Sequence, residues 1–167
     1  APDLLDTAAS YQLFDNQKQA AAESWTRIAL EYPASKKAFN GLFFGGSVYF
    51  DLGQYEKAAD NFNRIILMSG EPFELSAAYF WLGKTNQAQA KEDEARLNWQ
   101  AAINQTPYGY YGIRAAELLE NRVPFEEPDR LNLDVNLPDL RIAAGEWLKT
   151  AYNLPVGVNL DYSADLF

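Results

Sequence analysis

The acidic side chains are the residues of this sequence that could carry out chemistry. The chain has 23 Asp and Glu residues among its 167, and it has no histidine and no cysteine. Two carboxylates held across a cleft can act as acid and base on a glycosidic bond. The acids gather at residues 92–94, at a predicted helix start, and at Glu126 and Glu127, in a predicted loop. We expect both groups to be solvated surface, since carboxylates are favoured at a helix N-terminus.

The composition excludes several classes of site. Without His and Cys there is no Ser-His-Asp triad, no disulfide and no zinc site of the common type. The net charge is −9 and the charges are mixed along the chain, so the sequence predicts no nucleic-acid groove. The longest apolar stretch, residues 38–50, is shorter than the roughly 20 residues that span a bilayer. We therefore predict no metal, no cofactor and no transmembrane segment in this chain.

An internal repeat of 37 residues is the most informative property of the sequence. In each copy an alanine is followed four residues later by a large aromatic residue, giving the pairs Ala21–Trp25, Ala58–Phe62 and Ala95–Trp99. Twelve residues before the alanines lie the small residues Ala9, Gly46 and Gly83. Twelve residues after them lie Pro33, Gly70 (followed by Pro72) and Pro107.

This spacing is typical of the tetratricopeptide (TPR) repeat, in which each copy is a pair of helices. The small residue admits the neighbouring helix, the ring fills the adjoining space, and the proline ends the second helix. The sequence therefore predicts an all-α fold of about eight helices, with TPR-like helix-turn-helix repeats stacked in a right-handed superhelix. The predicted helices are 3–15, 18–32, 35–52, 55–69, 73–89, 92–105, 108–121 and 139–152.

The repeat pattern stops after the third copy. We predict three helix pairs over residues 1–107 and additional helices over 108–155, with a proline-rich loop at 121–138. A loop of that length is typical of binding loops, of segments that cover a neighbouring element, and of linkers. Residues 156–167 are expected to be a tail or the start of a further helical unit.

The additional region begins with the segment "PYGYYGIRAAELLE", residues 107–120. It resembles the P-x-x-Y-Y-G-x-x-A-A-x-x-L segment in the superhelical domain of soluble lytic murein transglycosylases. The matching residues are Pro107, Tyr110, Tyr111, Gly112, Ala115, Ala116 and Leu119. The preceding run, 79–103, resembles the same family, with Ala90 replacing the glycine that usually begins a turn. The resemblance is strong over about 77–121 and looser over 35–155.

That resemblance implies a non-catalytic helical module of a peptidoglycan-cleaving enzyme, with peptidoglycan glycan strands or cell-envelope proteins as partners. It also implies a location in the periplasm or cell-wall space. The family's separate catalytic domain uses one glutamate, in a Glu-Ser motif, to form a 1,6-anhydro product. Glu23–Ser24 matches that pair, but it lies between the structural residues Ala21 and Trp25, and no Gly-Leu-Met-Gln follows. We predict no catalytic residue in this chain.

Tyr108, Tyr110 and Tyr111 stand together with two glycines in front of a helical run. We expect the three rings to be wedged between the last repeat and the added helix, with their hydroxyls at water or backbone. Gly112 would then allow close approach of the neighbouring helix. The alternative is that some of these rings form a surface that faces a glycan.

The first helix of each TPR pair lines the groove of the array. The register places Phe43, Phe50 and Phe80 in an apolar stripe there, with Lys84 beside them. Other positions expected to face outward are Asn40, Ser47, Ala77 and Gln87. The alternative is that the stripe contacts neighbouring helices or is covered by the C-terminal segment.

Two hypotheses about function remain open at this point. The first is the helical module of a lytic transglycosylase, and the second is a free-standing TPR adaptor that mediates protein–protein interaction. The helix "YYGIRAAELL" and the irregular region after it favour the first.

Overall fold

The structure, a computed structural model of the chain, describes residues 1–124 and 137–155. They form eight α-helices, and no strand occurs within these two ranges. The helices are α1 (Pro2–Phe14), α2 (Lys18–Glu31), α3 (Ala38–Asp51), α4 (Tyr55–Met68), α5 (Pro72–Ala88), α6 (Glu92–Gln105), α7 (Tyr110–Leu119) and α8 (Leu137–Ala151). The predicted all-α class and number of helices are confirmed, whereas the right-handed superhelix stays a prediction.

The chain divides into two compact units, Ala1–Glu126 and Glu127–Phe167. The first unit contains α1 to α7, and the second contains α8. Most of the predicted loop at 121–138, with its two glutamates, lies outside the described residues, as does the predicted tail at 156–167. The predicted division of the chain at residue 107 stays a prediction.

The first three helix pairs are held together by small residues that face large rings. A Cβ atom built on Gly83 would collide with the indole of Trp99, so the close approach of α5 and α6 requires glycine. Gly46 lies in the same relation to Phe62. The equivalent pair in α1 and α2 is Ala9 and Trp25, both buried. The predicted contact of small residue and ring is therefore confirmed in the second and third pairs, and the three repeat alanines are fully buried as well.

Turns between the two helices of a pair contain a residue with positive φ, a feature that the repeat analysis missed. These residues are Asn16, Gly53 and Ala90, with φ of 61°, 71° and 58°, again 37 positions apart. The amides of the residue and its successor then bond back to the helix, as the N–H of Gln54 does to the Tyr49 carbonyl. This is the Schellman arrangement, which satisfies carbonyls that a helix end leaves open.

Helix α7 ends with the same kind of cap as α1, α3 and α5, which are the first helices of the three pairs. Asn121 follows α7 with φ of 54°, whereas α2, α4 and α6 end without a residue of positive φ. In addition, α7 contacts both α6 and α5. The chain after the third copy therefore adds α7, a helix of 10 residues that ends in the same way as α1, α3 and α5.

Proline acts differently in the middle copy from the sequence-based expectation. Pro33 and Pro107 follow α2 and α6, as predicted, but Pro72 is the first residue of α5. A proline at the first helical position is favoured because its missing N–H would have no partner there. The end of α4 is instead set by Ser69, whose backbone is extended.

Candidate binding surface

An aromatic cluster joins α3, α5 and α7, and Trp81 on α5 is its centre. The ring centroid of Trp81 lies 5.5 Å from that of Phe50 and 6.4 Å from that of Phe43, both on α3. It lies 6.0 Å from the centroid of Phe80, its neighbour in α5. Tyr111 on α7 continues the cluster, 5.6 Å from Phe80 and 6.2 Å from Phe43. We call this set, together with Lys84, the aromatic face.

Lys84 extends over the aromatic face from α5. Its Nζ atom lies 4.4 Å from the ring centroid of Trp81 and 5.3 Å from that of Phe50, so the ammonium interacts with both ring faces. Burial lowers the pKa of Lys84, the charge of Arg114 lowers it further, and Asp51 opposes the change. Within the described residues, no hydrogen bond or ion pair is formed by this ammonium.

Arg114 contributes positive potential to the same surface from α7. It forms an ion pair with Glu117, one turn further along the helix, and both side chains are largely buried. Despite this pair, the charge of Arg114 still acts on Lys84, and Asp51 partly opposes it. A buried pair of this kind costs desolvation energy, which the short-range attraction and hydrogen bonds must offset.

The three tyrosines of the junction segment separate into two groups. Tyr111 is half-buried in the aromatic face, where burial and the neighbouring Tyr110 raise its pKa and a hydrogen bond with Trp81 opposes the change. Tyr108 is 95% exposed and Tyr110 is 56% exposed. The prediction that all three rings are wedged between helices is therefore wrong for Tyr108 and Tyr110. Tyr110 rests edge-on against Tyr111, with centroids 5.0 Å apart.

A compact polar junction fixes where α7 begins. The Thr106 hydroxyl donates to the Ser76 hydroxyl at 2.7 Å, and Ser76 donates to the carbonyl of Ala102 at 2.9 Å. A Cβ atom on Gly112 would collide with the Thr106 carbonyl. Gly112 therefore makes room for the connecting turn after α6. The prediction that it makes room for a neighbouring helix is wrong, because its close contact is with the backbone of Thr106. The junction orients Tyr111 toward α3 and α5.

The predicted outward positions are only partly exposed. Phe80 is 6% exposed and Ala77 is fully buried, so both expectations are wrong, because α7 and α6 cover that side of α5. Phe43 and Phe50 are half-buried among neighbouring rings, which is the alternative that the sequence left open. Of the other predicted outward positions, Ser47 and Lys84 are half-buried, and Asn40 and Gln87 are exposed.

Sequence reasoning missed Trp81, whose ring contacts Phe43, Phe50 and Phe80 within the aromatic face. It lies three positions before Lys84, which places both side chains on one side of α5. That spacing was available as a signal. What it could not show is that rings from α3 and α7 meet there.

The acidic residues are distributed over open surface. Glu23 is exposed on α2 and hydrogen-bonded by Gln19, and residues 92–94 are exposed at the start of α6. Among the described residues, no group of acids is arranged to hold a metal ion. Glu126 and Glu127 lie outside the described residues.

The fold and this surface define an all-α protein with a half-buried aromatic and cationic face. No protein-family model matches the chain, and no curated protein matches it. None of the described helices has the length and apolar character needed to cross a membrane.

Proposed function

We propose that this chain is a non-catalytic helical-repeat module of a peptidoglycan lytic transglycosylase, acting in the periplasm or cell-wall space. It binds glycan strands or cell-envelope proteins beside a catalytic domain carried elsewhere in the protein. The observation that carries the proposal is the arrangement of residues 107–120. In this segment Tyr111, Gly112 and Ala115 form the packed junction, whereas Tyr108 and Tyr110 remain more than half exposed.

Two exposed tyrosines in one short segment suit a sugar ligand. A pyranose ring has an apolar C–H face and a polar rim, and a tyrosine has an apolar ring and a hydroxyl that bonds water or ligand. The rigid junction below them limits the entropy that binding would cost. Packing alone requires Tyr111 but does not require a ring as exposed as that of Tyr108.

Cosedimentation with purified peptidoglycan sacculi tests this proposal. We expect the chain to bind, and the double variant Tyr108→Ala/Tyr110→Ala to bind about thirty times more weakly, since each of the two ring contacts contributes about 1 kcal/mol. The matched control is Tyr11→Ala, which removes a tyrosine that is 69% exposed on α1. Failure of the chain to bind sacculi, or equal binding by both variants, would contradict the proposal.

The proposal also predicts that the purified chain releases no 1,6-anhydro sugar fragments from peptidoglycan. Glu23 of the Glu-Ser pair lies on an exposed helix surface beside Gln19 and Lys18, whereas Ser24 is buried. A catalytic acid needs a pKa raised by burial or by a neighbouring charge, in reach of the leaving oxygen. Detection of anhydro fragments, lost in Glu23→Gln, would overturn the non-catalytic assignment.

A free-standing TPR adaptor is the second candidate, and the aromatic face favours it. Trp81 and Phe50 are half-buried with Lys84 between them, so part of this apolar surface can still receive a partner. The sequence encoded beyond Phe167 separates the two candidates. A Glu-Ser motif followed by Gly-Leu-Met-Gln supports the transglycosylase module, and an unrelated domain supports the adaptor.

A further inference from the structure

A cavity of about 190 Å³ lies where the turn between α2 and α3 meets the junction of α4 and α5. Sites for drug-sized ligands enclose about 300–1,000 Å³, so a cavity of this size suits a smaller molecule. Its base is apolar and is formed by residues of α3 and α4, namely Phe39, Leu42, Ile65 and Met68. A small ligand with an apolar group therefore finds a surface to contact there.

The equivalent place one repeat further along the chain is filled by two aromatic rings. Phe73 and Tyr111 lie 37 positions after Lys36 and Glu74, which belong to the rim of the cavity. The centroids of the two rings are 5.6 Å apart, so these two repeat positions face each other across the interface between helix pairs. The cavity is open because two charged side chains occupy the positions that carry packed rings in the next interface.

The two charged side chains of the rim have opposite charges but are not paired. Among the described residues, neither Lys36 nor Glu74 forms an ion pair. The Ser69 hydroxyl donates to one carboxylate oxygen of half-buried Glu74 at 2.6 Å, and the other oxygen remains for a ligand. The Ser35 hydroxyl accepts from the N–H of Lys37 at 3.2 Å, so its own proton can still be donated.

This distribution of charge favours a ligand that carries both charges. An anion alone would satisfy Lys36 and approach the carboxylate of Glu74, whereas a cation alone would do the reverse. A zwitterion places an ammonium at Glu74 and a carboxylate at Lys36, and each contact is a charge-assisted hydrogen bond. The long stem of the lysine lets its ammonium adjust to the position of the ligand.

From this geometry we infer that the cavity binds a free amino acid with an apolar side chain, of the size of leucine. The ammonium of the ligand bonds to Glu74, its carboxylate bonds to Lys36 and to the Ser35 hydroxyl, and its side chain contacts the apolar base. Binding forms hydrogen bonds and buries apolar surface, with no covalent change. This inference goes beyond the proposed function, because it assigns a small molecule to residues other than the exposed tyrosines.

The single methionine of the chain reports on this cavity, because Met68 forms part of its base. Its carbon-13-labelled ε-methyl resonance is followed by NMR during titration with L-leucine. Three analogues each lack one feature of the ligand: leucine amide lacks the carboxylate, isocaproate lacks the ammonium and glycine lacks the side chain. We expect leucine to bind at least about ten times more tightly than each of them.

Two results of this titration would overturn the inference. The first is the absence of any leucine-dependent shift of the Met68 resonance. The second is equal or tighter binding of an analogue; tighter binding of leucine amide, for example, would indicate a site for the N-terminus of a peptide.

Charge-removing variants test the two ends of the site. Glu74→Gln and Lys36→Met should each lose at least about tenfold in affinity for leucine. Glu71→Gln is the matched control, because Glu71 is an exposed carboxylate three positions before Glu74 that does not line the cavity. Unchanged affinity in a folded Glu74→Gln variant, or an equal loss in Glu71→Gln, would contradict the assignment.

A filling variant tests whether the cavity itself is needed. Lys36→Phe/Glu74→Tyr introduces the two ring types of the next repeat interface, and contact between them closes the space. We expect leucine binding to disappear while the helical circular dichroism spectrum and the cooperative thermal transition are retained. Leucine binding that persists in this variant would overturn the inference.

These outcomes are independent of the sacculus experiment. Leucine binding that requires Glu74, in a chain that does not bind sacculi, would leave the amino-acid site standing and remove the proposed function. Sacculus binding without any response to leucine would do the reverse.

Discussion

The first and third helix pairs place a tryptophan at the same position of the repeat but bond its indole differently. In the third pair, Nε1 of Trp99 donates to the backbone carbonyl of Phe80 at 3.3 Å. In the first pair, Nε1 of Trp25 donates to the carboxylate of Asp6 at 3.0 Å. That carboxylate also accepts from Lys37 at 2.6 Å. The repeat thus fixes where the ring packs, while residues outside the pattern choose its polar partner.

This difference makes one pair dependent on steric fit and the other dependent on charge. In the third pair the Trp99 ring occupies the space that a Cβ on Gly83 would need, so only glycine fits there. In the first pair the equivalent position is an alanine, Ala9, so the fit is less tight. In the first pair, the Asp6 carboxylate ties α1 to α2 and to the start of α3 through Lys37. The two pairs should therefore respond to different perturbations.

The largest expected effect is on the steric side of the comparison. Gly83→Ala forces the Trp99 ring to move, and overpacking of this kind costs about 1–3 kcal/mol. Thermal unfolding followed by circular dichroism should show a lower Tm. Gly145→Ala is the control, since a Cβ there meets no atom within 4 Å and the helix should gain up to about 1 kcal/mol. An unchanged Tm for Gly83→Ala would show that α5 and α6 are packed more loosely than described.

Removal of the shared carboxylate tests the electrostatic side. Asp6→Ala leaves the indole N–H of Trp25, a residue only 5% exposed, without its acceptor, at a cost of about 1–2 kcal/mol. Asp3→Ala is the matched control, because Asp3 contacts the same Lys37 at 3.3 Å but its side chain is 79% exposed. We expect a change below about 0.5 kcal/mol for the control in urea unfolding. Equal effects of the two variants would show that the bond to Trp25 contributes nothing.

The turns between helices give a third, smaller contrast between the pairs. Ala90 adopts φ of 58°, where the equivalent residue of the second pair is glycine. Ala90→Gly should raise the free energy of unfolding by about 0.5–1 kcal/mol, since glycine adopts that conformation without steric cost. Ala88→Gly, two positions earlier at the last residue of α5, should instead lower it, by less than the cost of about 1 kcal/mol in a helix interior. A loss of stability in Ala90→Gly would contradict the assignment of this turn.

The smallest expected effect is a difference in response to acid. The hydrogen bond from Lys37 lowers the pKa of Asp6, burial opposes this, and Trp25 and the charge of Lys37 lower it further. A folded pKa below the unfolded value means that the contribution to stability is present above the unfolded pKa of about 3.9 and is lost as pH falls through the folded pKa. Asp6→Asn should therefore flatten the pH dependence of urea unfolding in acid. An identical slope in both proteins would exclude this role.

Most of the fold was predictable from the sequence because the repeat reflects preferences that act within one helix pair. Helix periodicity, the small–aromatic spacing and the prolines predicted eight helices, and the bounds differ by at most three residues. The starts of α3 and α7 were placed too early because residues 33–37 and 107–109 form turns behind Pro33 and Pro107. Ala90 was recognised as an unusual residue at a turn, but its positive φ and its recurrence at Asn16 and Gly53 were not.

The candidate site was predicted less completely than the fold. Phe43, Phe50 and Lys84 do meet, but the expected open stripe is largely a contact between helices, and Phe80 is buried within it. Trp81 was missed as the centre. The periodicity of one helix tells which residues share a side, but it does not tell which other helix covers that side.

By itself, the sequence determined the class of the fold, the period of 37 residues and the pairing of small residues with rings, since these follow from contacts within a helix pair. Only the tertiary structure decided that Tyr111 is packed while Tyr108 is exposed, and that Asp6 reaches Trp25 across 19 residues. It also decided that Lys84 lies over rings from two helices. Such contacts depend on how distant helices pack, and short-range sequence spacing carries no information about that arrangement.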